Sequence, residues 1–431
     1  MSILSGIMKI KVDGHKDLTD HLPVLTIKDT PRVYIPLING ASEQVEVFAK
    51  IGERVNVGTK LAQRNDHFTV PFFSSVSGTV LGIEKLMHPS GREIDHLVIE
   101  NDFKYEKVLS FEPVNVEEAN AEQLVEFVKN AGIVGCGGAG FPTYIKYTGC
   151  KGVHTVLINA VECEPYITAD YKEISDSGYI ELATGILAMI KMSGAQKAII
   201  ALKEYKVELI KKLREFLKDY PSIEVQAVPD RYPMGWEKTV VYEIFKKRYE
   251  KLPMEIGVVV NNSTTAISLG RALLTGTPIV EKVVTISGEA LNNPQNVLVP
   301  VGTRIDYIID KIGGFKYDEV LLIAGGPMMG RTIPNSEAAI SYYSNSITVV
   351  EDIKEETIAC LRCGKCSEFC PAALQPVRIN EAATANDFKA LQKLSALDCI
   401  ECGICTYVCP SRIEVTQGVR DAKALLRKHL G

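Results

Sequence analysis

The chain is short of several things whose absence narrows its class. It has one Trp among 431 residues and no low-complexity tract to separate its parts. No apolar run approaches the ~20 residues needed to span a bilayer. The opening MSILSGIMKIKVDGHKD has neither the long apolar core nor the small-residue cleavage site of a secretory leader. A cytoplasmic protein with no direct membrane span is the expectation. Positive charge is not in excess either: a formal net charge of -5 offers no general attraction to phosphate backbones, which argues against nucleic acid as a partner. None of His15, His21, His67, His88, His96, His154 and His429 pairs with another at metal-ligand spacing, so they read as surface or hydrogen-bonded core residues.

What is present is ordinary globular composition, 46% hydrophobic and 23% charged. The length calls for several domains, because single cores rarely grow past about 250 to 300 residues. Period-2 alternation broken by glycines from Val45 to Glu84 predicts a small β sandwich or hybrid barrel. Its Gly58 and Ser77 to Val80 region has a lipoyl-like character but no Lys at an evident hairpin tip, and reads as a docking surface. From about Asn115 to Glu250 the pattern alternates helices (Ala121 to Asn130, Ile180 to Met192, Lys206 to Leu217) with buried-type strands (His154 to Asn159, Lys197 to Leu202, Ile223 to Val228, Gly257 to Val260). That alternation predicts an α/β layer with a mostly parallel sheet. Lys282 to Gly330 reads as a compact α+β insert, and the part from Val350 onward, with a helical stretch from Ile379 to Leu397 and a closing helix RDAKALLRKHL, as mainly helical.

Of eleven cysteines, eight lie between Cys360 and Cys409, which marks a metal module and not a disulfide scaffold. Cys360, Cys363, Cys366 and Cys370 precede Pro371 in a C-x2-C-x2-C-x3-C-P run, and Cys399, Cys402, Cys405 and Cys409 precede Pro410 in a second. In such pairs the first three thiolates of a run hold one cubane and the fourth reaches the other. The expectation is two [4Fe-4S] clusters, one held by Cys360, Cys363, Cys366 and Cys409, the other by Cys399, Cys402, Cys405 and Cys370. Four-thiolate zinc is the alternative, though zinc sites usually pair two C-x2-C hooks.

Gly135, Gly137 and Gly140 in AGIVGCGGAGFPTYIK satisfy G-x-G-x-x-G. A Rossmann fingerprint should follow a strand and open a helix, and here a helix precedes and the first clear strand comes later. Two readings stand: a tight turn between helices, or a loop whose bare backbone approaches a phosphate or a flat ring.

Beyond the single loop, GCGGAGFPTYIK resembles the FMN loop of the flavin subunit of respiratory NADH dehydrogenase and of the C subunit of the Rnf complex. NAVECEPY from Asn159, YPMGWEK from Tyr232 and NNSTT from Asn261 follow in the same order, with SVSGTV and AGGPMMG extending the likeness over most of the chain. The resemblance implies a multidomain α/β and α+β architecture. It comprises an N-terminal barrel-sandwich hybrid (1–112), a Rossmann-like α/β domain for FMN and NADH (113–278), an SLBB-like β-grasp insert (279–345) and an α-helical two-cluster ferredoxin domain (346–431). By the same resemblance, Gly135, Gly137, Gly138, Gly140 and Phe141 would shape the flavin and nicotinamide pocket, and Lys146 would reach ribose or phosphate. Asn159, Asn261, Asn262 and Thr265 would hydrogen-bond the flavin. Glu162, Glu164 and Glu237 match acidic positions around the nicotinamide nucleotide, Glu164 and Glu237 being assigned to catalysis; solvated surface glutamates are their alternative reading.

There are departures. Val161 stands where the respiratory subunit has Asp and Trp236 where it has Glu, and GIMKIKVDGHKDL differs from the opening usual in membrane Rnf C subunits. Cys136 occupies a position where related proline reductase-associated carriers have Cys or selenocysteine. A thiol where a loop enters a helix would have a lowered pKa and could exchange with a disulfide or selenium partner, which makes Cys136 a third catalytic candidate; a small pocket filler is the alternative. Cys163 reads as packing, and Cys150 has no assigned role. The function expected is an NADH:acceptor oxidoreductase passing electrons through FMN and two clusters to a redox partner protein, with proline reductase as that partner. The alternatives are the C subunit of a membrane Rnf complex, whose other subunits would be the partners, and a wiring module with no NADH site of its own.

Overall fold

The computed structural model describes residues 10–138, 140–176, 178–354 and 356–430. The first nine residues, which open both the expected first domain and the GIMKIKVDGHKDL segment, lie outside them, as does Ala139 of the glycine loop.

The alternating segment near the N-terminus folds as two antiparallel sheets. One orders Arg32–Pro36, Glu93–Asn101, Gly78–Met87 and Arg54–Val55, and the other Val45–Val47, Lys60–Asn65 and Thr69–Phe73. Period-2 patterning sends Val33, Ile35, Leu61, Phe72, Leu97 and Ile99 into the space between them, where all are buried.

Next comes a four-stranded sheet, parallel throughout, in the order Ile223–Val228, Lys197–Lys203, Thr155–Asn159, Val258–Asn262. Apart from the edge strand Ile223–Val228, its strands are near-continuous apolar runs because helices cover both faces. Tyr179–Ser193 and Ser263–Thr275 cross closely on one face, where a Cβ on Gly185 would lie 1.9 Å from the Ala266 carbonyl oxygen. Glu237–Phe245 covers the other, burying Val240 and Val241 with Leu157, Ile199 and Met234. The helix Ala121–Asn130 precedes the glycine loop, its start fixed by a reciprocal cap between Asn120 and Gln123.

The third layer is a six-stranded mixed sheet in the order Leu25–Thr26, Gln295–Pro300, Glu281–Ser287, Ser346–Glu351, Val320–Ala324, Arg331–Ile333, with the helix Ile305–Lys311 buried against it. It crosses two expected boundaries: a strand from the N-terminal region forms one edge, and Ser346–Glu351, which the resemblance placed in the cluster domain, pairs at its centre.

The cysteine-rich part is helical, built on Lys365–Glu368, Pro376–Thr384, Phe388–Lys393, Ile404–Tyr407 and Val415–Leu430. The single stretch expected from Ile379 to Leu397 is broken. Asn386 takes φ 52° and Asp387 caps the next helix by accepting from the Ala390 amide, an Asn-Asp pair suited to a chain reversal. The break lets Ile379 and Leu391 share one core with Val419, Ala422 and Leu426.

Candidate functional site

The glycine loop is a closed turn. Val134 and Pro142 bridge its base, the Gly135 amide donates to the Phe141 carbonyl at 2.8 Å, and the Gly140 amide to the Gly135 carbonyl at 3.1 Å. It leads into a single 3-10 turn, Thr143–Lys146, and the first strand of the parallel sheet follows later, so the Rossmann order is absent as the sequence implied. Asn39 of the barrel holds the loop by donating to the Gly140 carbonyl. Gly137 and Gly138 are exposed, and Gly138 has φ 99° with open space beside it. A Cβ on Gly137 would meet the Asn262 side chain at 3.4 Å. Neither amide has an acceptor among the described residues, which leaves two donors free for a phosphate or a ring edge. Phe141 is exposed at the far side of the turn, edge-on to Phe68.

Opposite the loop, the parallel sheet ends. Asn159 and Asn262 are register neighbours at the C-terminal ends of adjacent strands, where open α/β sheets place their ligands. Asn262 caps the helix Ser263–Thr275 by accepting from the Thr265 amide, and its own amide donates to Asp170 at 2.5 Å. Thr264 donates to the second Asp170 oxygen at 2.8 Å, and the Asp170 amide to Glu162 at 2.8 Å. Asp170 is buried, and burial raises its pKa. Asn159 donates to the Gly235 carbonyl and Asn261 to the Tyr147 hydroxyl, both at 2.7 Å. Lys146 extends beneath the sheet end to the Val260 carbonyl at 2.6 Å, its pKa lowered by burial and raised in part by Glu237.

The three glutamates are partly buried, not solvated. Burial raises Glu162 to about 7, with the nearby Lys16 ammonium opposing the shift. Glu164 is also raised to about 7 by burial; it accepts from the Met328 amide at 3.2 Å and lies 3.2 Å from the Tyr232 hydroxyl oxygen. Glu237 accepts from the Tyr249 hydroxyl at 2.7 Å. The structure thus links Gly137, Asn262 and Thr265 directly and Glu162 through Asp170, while Lys146 reaches Val260 on the strand that ends in Asn262 and feels the charge of Glu237. Glu164 lies at the seam with the mixed sheet and the cluster module. Val161 is buried among Leu157, Met234 and Val240, and Trp236 lines a cleft beside Cys399.

Cys136 overturns an expectation. Its side chain is fully buried, its amide donates to Thr265 Oγ1 at 2.9 Å, and its thiol faces the Val134 carbonyl at 3.4 Å. No α-helix begins there to stabilise a thiolate, and burial raises the thiol pKa where the sequence predicted a lowered one. The small pocket filler is the reading that fits. Cys163 packs against Gly235, and burial lifts its thiol to about 11; Cys150 faces the Met254 sulfur at 3.8 Å.

Sequence reasoning missed three residues. Lys16 is buried and donates from Nζ to the carbonyls of Glu162 (3.0 Å), Glu164 (2.7 Å) and Ile167, pinning the loop that carries both acids. Asp170 anchors Asn262. Tyr232 donates to the Cys402 carbonyl at 2.8 Å, joining the flavin-type domain to the cluster module. Tyr232 and Lys16 fell within segments the sequence had singled out, YPMGWEK and GIMKIKVDGHKDL, without either being picked as a site residue, and Asp170 fell within none.

In that module Cys360, Cys363, Cys366 and Cys409 line a cavity of about 320 Å³. Cys370, Cys399, Cys402 and Cys405 line a tighter one of about 20 Å³. Each set combines three members of one run with the last of the other. The amides of Arg362, Glu401 and Leu374 point at Cys360, Cys399 and Cys370 sulfurs, each at 3.4 Å. Burial raises the thiols of Cys370, Cys399, Cys402 and Cys405, a penalty that iron bonding to thiolate would offset. Among the described residues no His, Cys, Asp and Glu trio converges on a single-ion site. Thiolates spread around two cavities with N–H donors to sulfur suit a cubane, and the free amides at the sheet edge suit a flavin phosphate or ring.

Four family models match successive parts of the chain. The Nuo51 FMN-binding domain matches residues 128–271, the RnfC barrel sandwich hybrid domain 6–104, the SLBB domain 283–332 and the 4Fe-4S dicluster domain 359–413. The C subunit of the Na(+)-translocating ferredoxin:NAD(+) oxidoreductase complex of Acetobacterium woodii is 33% identical over 408 residues, covering 92% of each chain. The C subunit of the proton-translocating complex of Clostridium ljungdahlii is 31% identical over 374 residues, covering 84% of this chain and 81% of that one. The C subunit of an ion-translocating oxidoreductase complex from Vibrio cholerae is 33% identical over 425 residues; the match covers 96% of this chain and 54% of that relative, so the chain spans about half its length. A crystal structure of an NAD+-reducing [NiFe]-hydrogenase superposes with a TM-score of 0.51 at 18% identity, over 74% of this chain and 66% of that one, which speaks to the fold alone. Among the described residues no helix is long and apolar enough to cross a membrane.

Proposed function

Since the chain belongs to the family of C subunits of ion-translocating ferredoxin:NAD(+) oxidoreductase complexes, we propose that it oxidises NADH and passes the electrons to a partner subunit of such a complex, or runs the same path in reverse. Its cofactors are FMN and two [4Fe-4S] clusters. The flavin supplies, when bound, the exchange between a two-electron hydride and the single electrons that clusters carry.

The chain's own residues would divide the work. The free amides of Gly137 and Gly138 would bind phosphate or ring edge, with Gly135, Gly140 and Phe141 shaping the turn that presents them. Asn159, Asn261, Asn262 and Thr265 would orient the flavin from the sheet edge, and Lys146 would reach ribose or phosphate. Glu162, Glu164 and Glu237 would flank the nicotinamide, the first two able to hold or release a proton near neutral pH. Cys360, Cys363, Cys366 and Cys409 would hold the outer cluster, and Cys399, Cys402, Cys405 and Cys370 the inner one. Work on NADH would place the chain in the cytoplasm.

The observation that carries this reading is the bond from Tyr232 to the Cys402 carbonyl, which seats the inner thiolate set directly on the flavin-type domain. The relatives favour the ion-translocating complex over a proline reductase system. That pairing rested on a reactive thiol at Cys136, which is buried. A wiring module with no NADH site was suggested by Val161 and Trp236. Val161 completes an apolar core behind the sheet, so its replacement of an acid has a packing role.

The test is a titration of anaerobically purified protein with NADH. Bleaching of both flavin and cluster absorbance is expected, followed by identification of the released flavin as FMN. Clusters present with an unchanged spectrum would leave only the wiring role.

A further inference from the structure

Two arms of the N-terminal barrel converge on one residue of the glycine loop. Gly140 takes φ 60°, and a Cβ there would lie 2.7 Å from Cδ1 of Tyr343. No side chain fits, so the backbone keeps the freedom of a glycine. The loop itself holds only one side of this residue: the Gly140 amide reaches the Gly135 carbonyl, and among the described residues no backbone amide reaches the Gly140 carbonyl. That carbonyl is held from the barrel by the buried Asn39, whose Nδ2 donates to it at 2.8 Å. Arg64 decides which end of the Asn39 amide faces the loop. Its Nη1 donates to Asn39 Oδ1 at 3.0 Å and to the Asn39 carbonyl at 3.2 Å, which leaves the NH2 group for Gly140. Arg64 is forked in turn onto Asp66, through Nε at 2.8 Å and Nη2 at 3.0 Å, and Asp66 accepts from Ser42 at 2.6 Å.

The second arm acts on the ring that Gly140 packs against. His88 is buried, and burial lowers its pKa to about 3, so its imidazole is neutral. Nδ1 accepts from the Ser90 amide at 3.1 Å, which puts the proton on Nε2, 3.3 Å from the Tyr343 hydroxyl oxygen. One arm thus fixes the Gly140 carbonyl and the other the ring beside it.

We propose that Asn39, backed by Arg64, is a positioning residue for the flavin: it locks the peptide between Gly140 and Phe141, so that the Gly137 and Gly138 amides are turned outward before the ligand arrives. The proposal rests on the flavin reading above and gives the barrel a part in it. The exposed stretch of the loop is then pinned on both sides, by the Cys136 amide on Thr265 Oγ1 at 2.9 Å and by the Gly140 carbonyl on Asn39. A loop that is competent only part of the time loses affinity in proportion to that fraction, and a loop held ready does not.

The test uses the full cluster-loaded chain, stripped of flavin and titrated with FMN in the absence of NADH, with quenching of flavin fluorescence as the signal. Asn39→Asp keeps the size of the side chain and an acceptor for Arg64 but turns a second acceptor toward the Gly140 carbonyl. It should weaken FMN binding about tenfold with iron and sulfide contents unchanged, and Asn39→Ala, which removes the donor without adding charge, should weaken it about threefold or more. Ile35→Val thins the buried barrel core away from the loop and should bind FMN as the wild type does. Wild-type affinity in both Asn39 variants, or an equal loss in Ile35→Val, would overturn the positioning role. Because the titration needs no NADH, a wild-type protein that binds FMN more tightly than the Asn39 variants yet is not bleached by NADH would sink the oxidoreductase reading alone.

Discussion

Tyr232 donates its single hydroxyl proton toward the Cys402 carbonyl at 2.8 Å and also lies 3.2 Å from Glu164 Oε1. One proton cannot serve two acceptors, and burial that lifts Glu164 to about 7 supplies a second: a protonated Glu164 can donate to the Tyr232 oxygen while Tyr232 donates to Cys402. Tyr232→Phe removes this joint and leaves a buried carbonyl unpaired. The expected cost is about 1 to 3 kcal/mol in the unfolding of the cluster module. In stopped-flow mixing with NADH, cluster bleaching should lag flavin bleaching more than in the wild type. Equal lag in both proteins would show that the joint is structural only.

Glu164 also sets a pH dependence. Its folded pKa is raised above the unfolded value, so between about 4.5 and 7 the folded chain holds a proton that the unfolded chain has released. Stability is therefore full below that window and falls as pH rises through it. Glu164→Gln should flatten the fall and make the variant more stable than the wild type at pH 8, by an amount on the order of 1 to 3 kcal/mol. Denaturant midpoints measured from pH 5 to 8 check the sign; a variant less stable at every pH would refute it.

Lys16 meets three carbonyls in a loop whose Glu162 and Tyr166 take φ 46° and 66°. Burial lowers its pKa to about 8, the opposing pull coming first from Glu162. Lys16→Met keeps the aliphatic length but leaves those carbonyls without a donor, at an expected cost of about 2 to 4 kcal/mol. The loop should then hold Glu162 and Asp170 less firmly, and the purified variant should retain less flavin. Flavin-to-protein ratios after gel filtration decide it, with Lys16→Arg expected to recover part of the loss.

Much of this was legible in the sequence, for local reasons. The runs at Thr155–Asn159 and Lys197–Lys203 are buried on both faces, so their apolar composition marks them as strands, and Ala121–Asn130 carries its own cap. The cysteine spacing foretold which sulfurs would share a cavity. What stayed hidden was made by distance. Lys16 and Glu164 are 148 positions apart, Tyr232 and Cys402 are 170 apart, and no local pattern couples them. Ser346–Glu351 reads as the start of the cluster module until Glu281–Ser287 and Val320–Ala324 enclose it. The sequence puts Cys136 in an open-looking glycine loop, and only packing from Thr265 and Ser268 turns it inward.

The exchange of last cysteines between the two runs makes a prediction that sequence neighbours alone would invert. Cys370 follows the first run but lines the cavity of Cys399, Cys402 and Cys405, whereas Cys409 follows the second and lines that of Cys360, Cys363 and Cys366. Cys370→Ser should therefore disable the inner centre, which the Tyr232 joint places next to the flavin-type domain, and leave the outer one intact. Electron paramagnetic resonance of the dithionite-reduced variant should show a single cluster signal, and NADH should reduce that cluster far more slowly than dithionite does. Cys409→Ser should do the reverse, keeping a cluster that NADH reduces readily while delivery to an added carrier is lost. If instead Cys370→Ser preserves fast reduction by NADH, the inner and outer assignments are interchanged, and the electron path through Tyr232 and Cys402 goes with them.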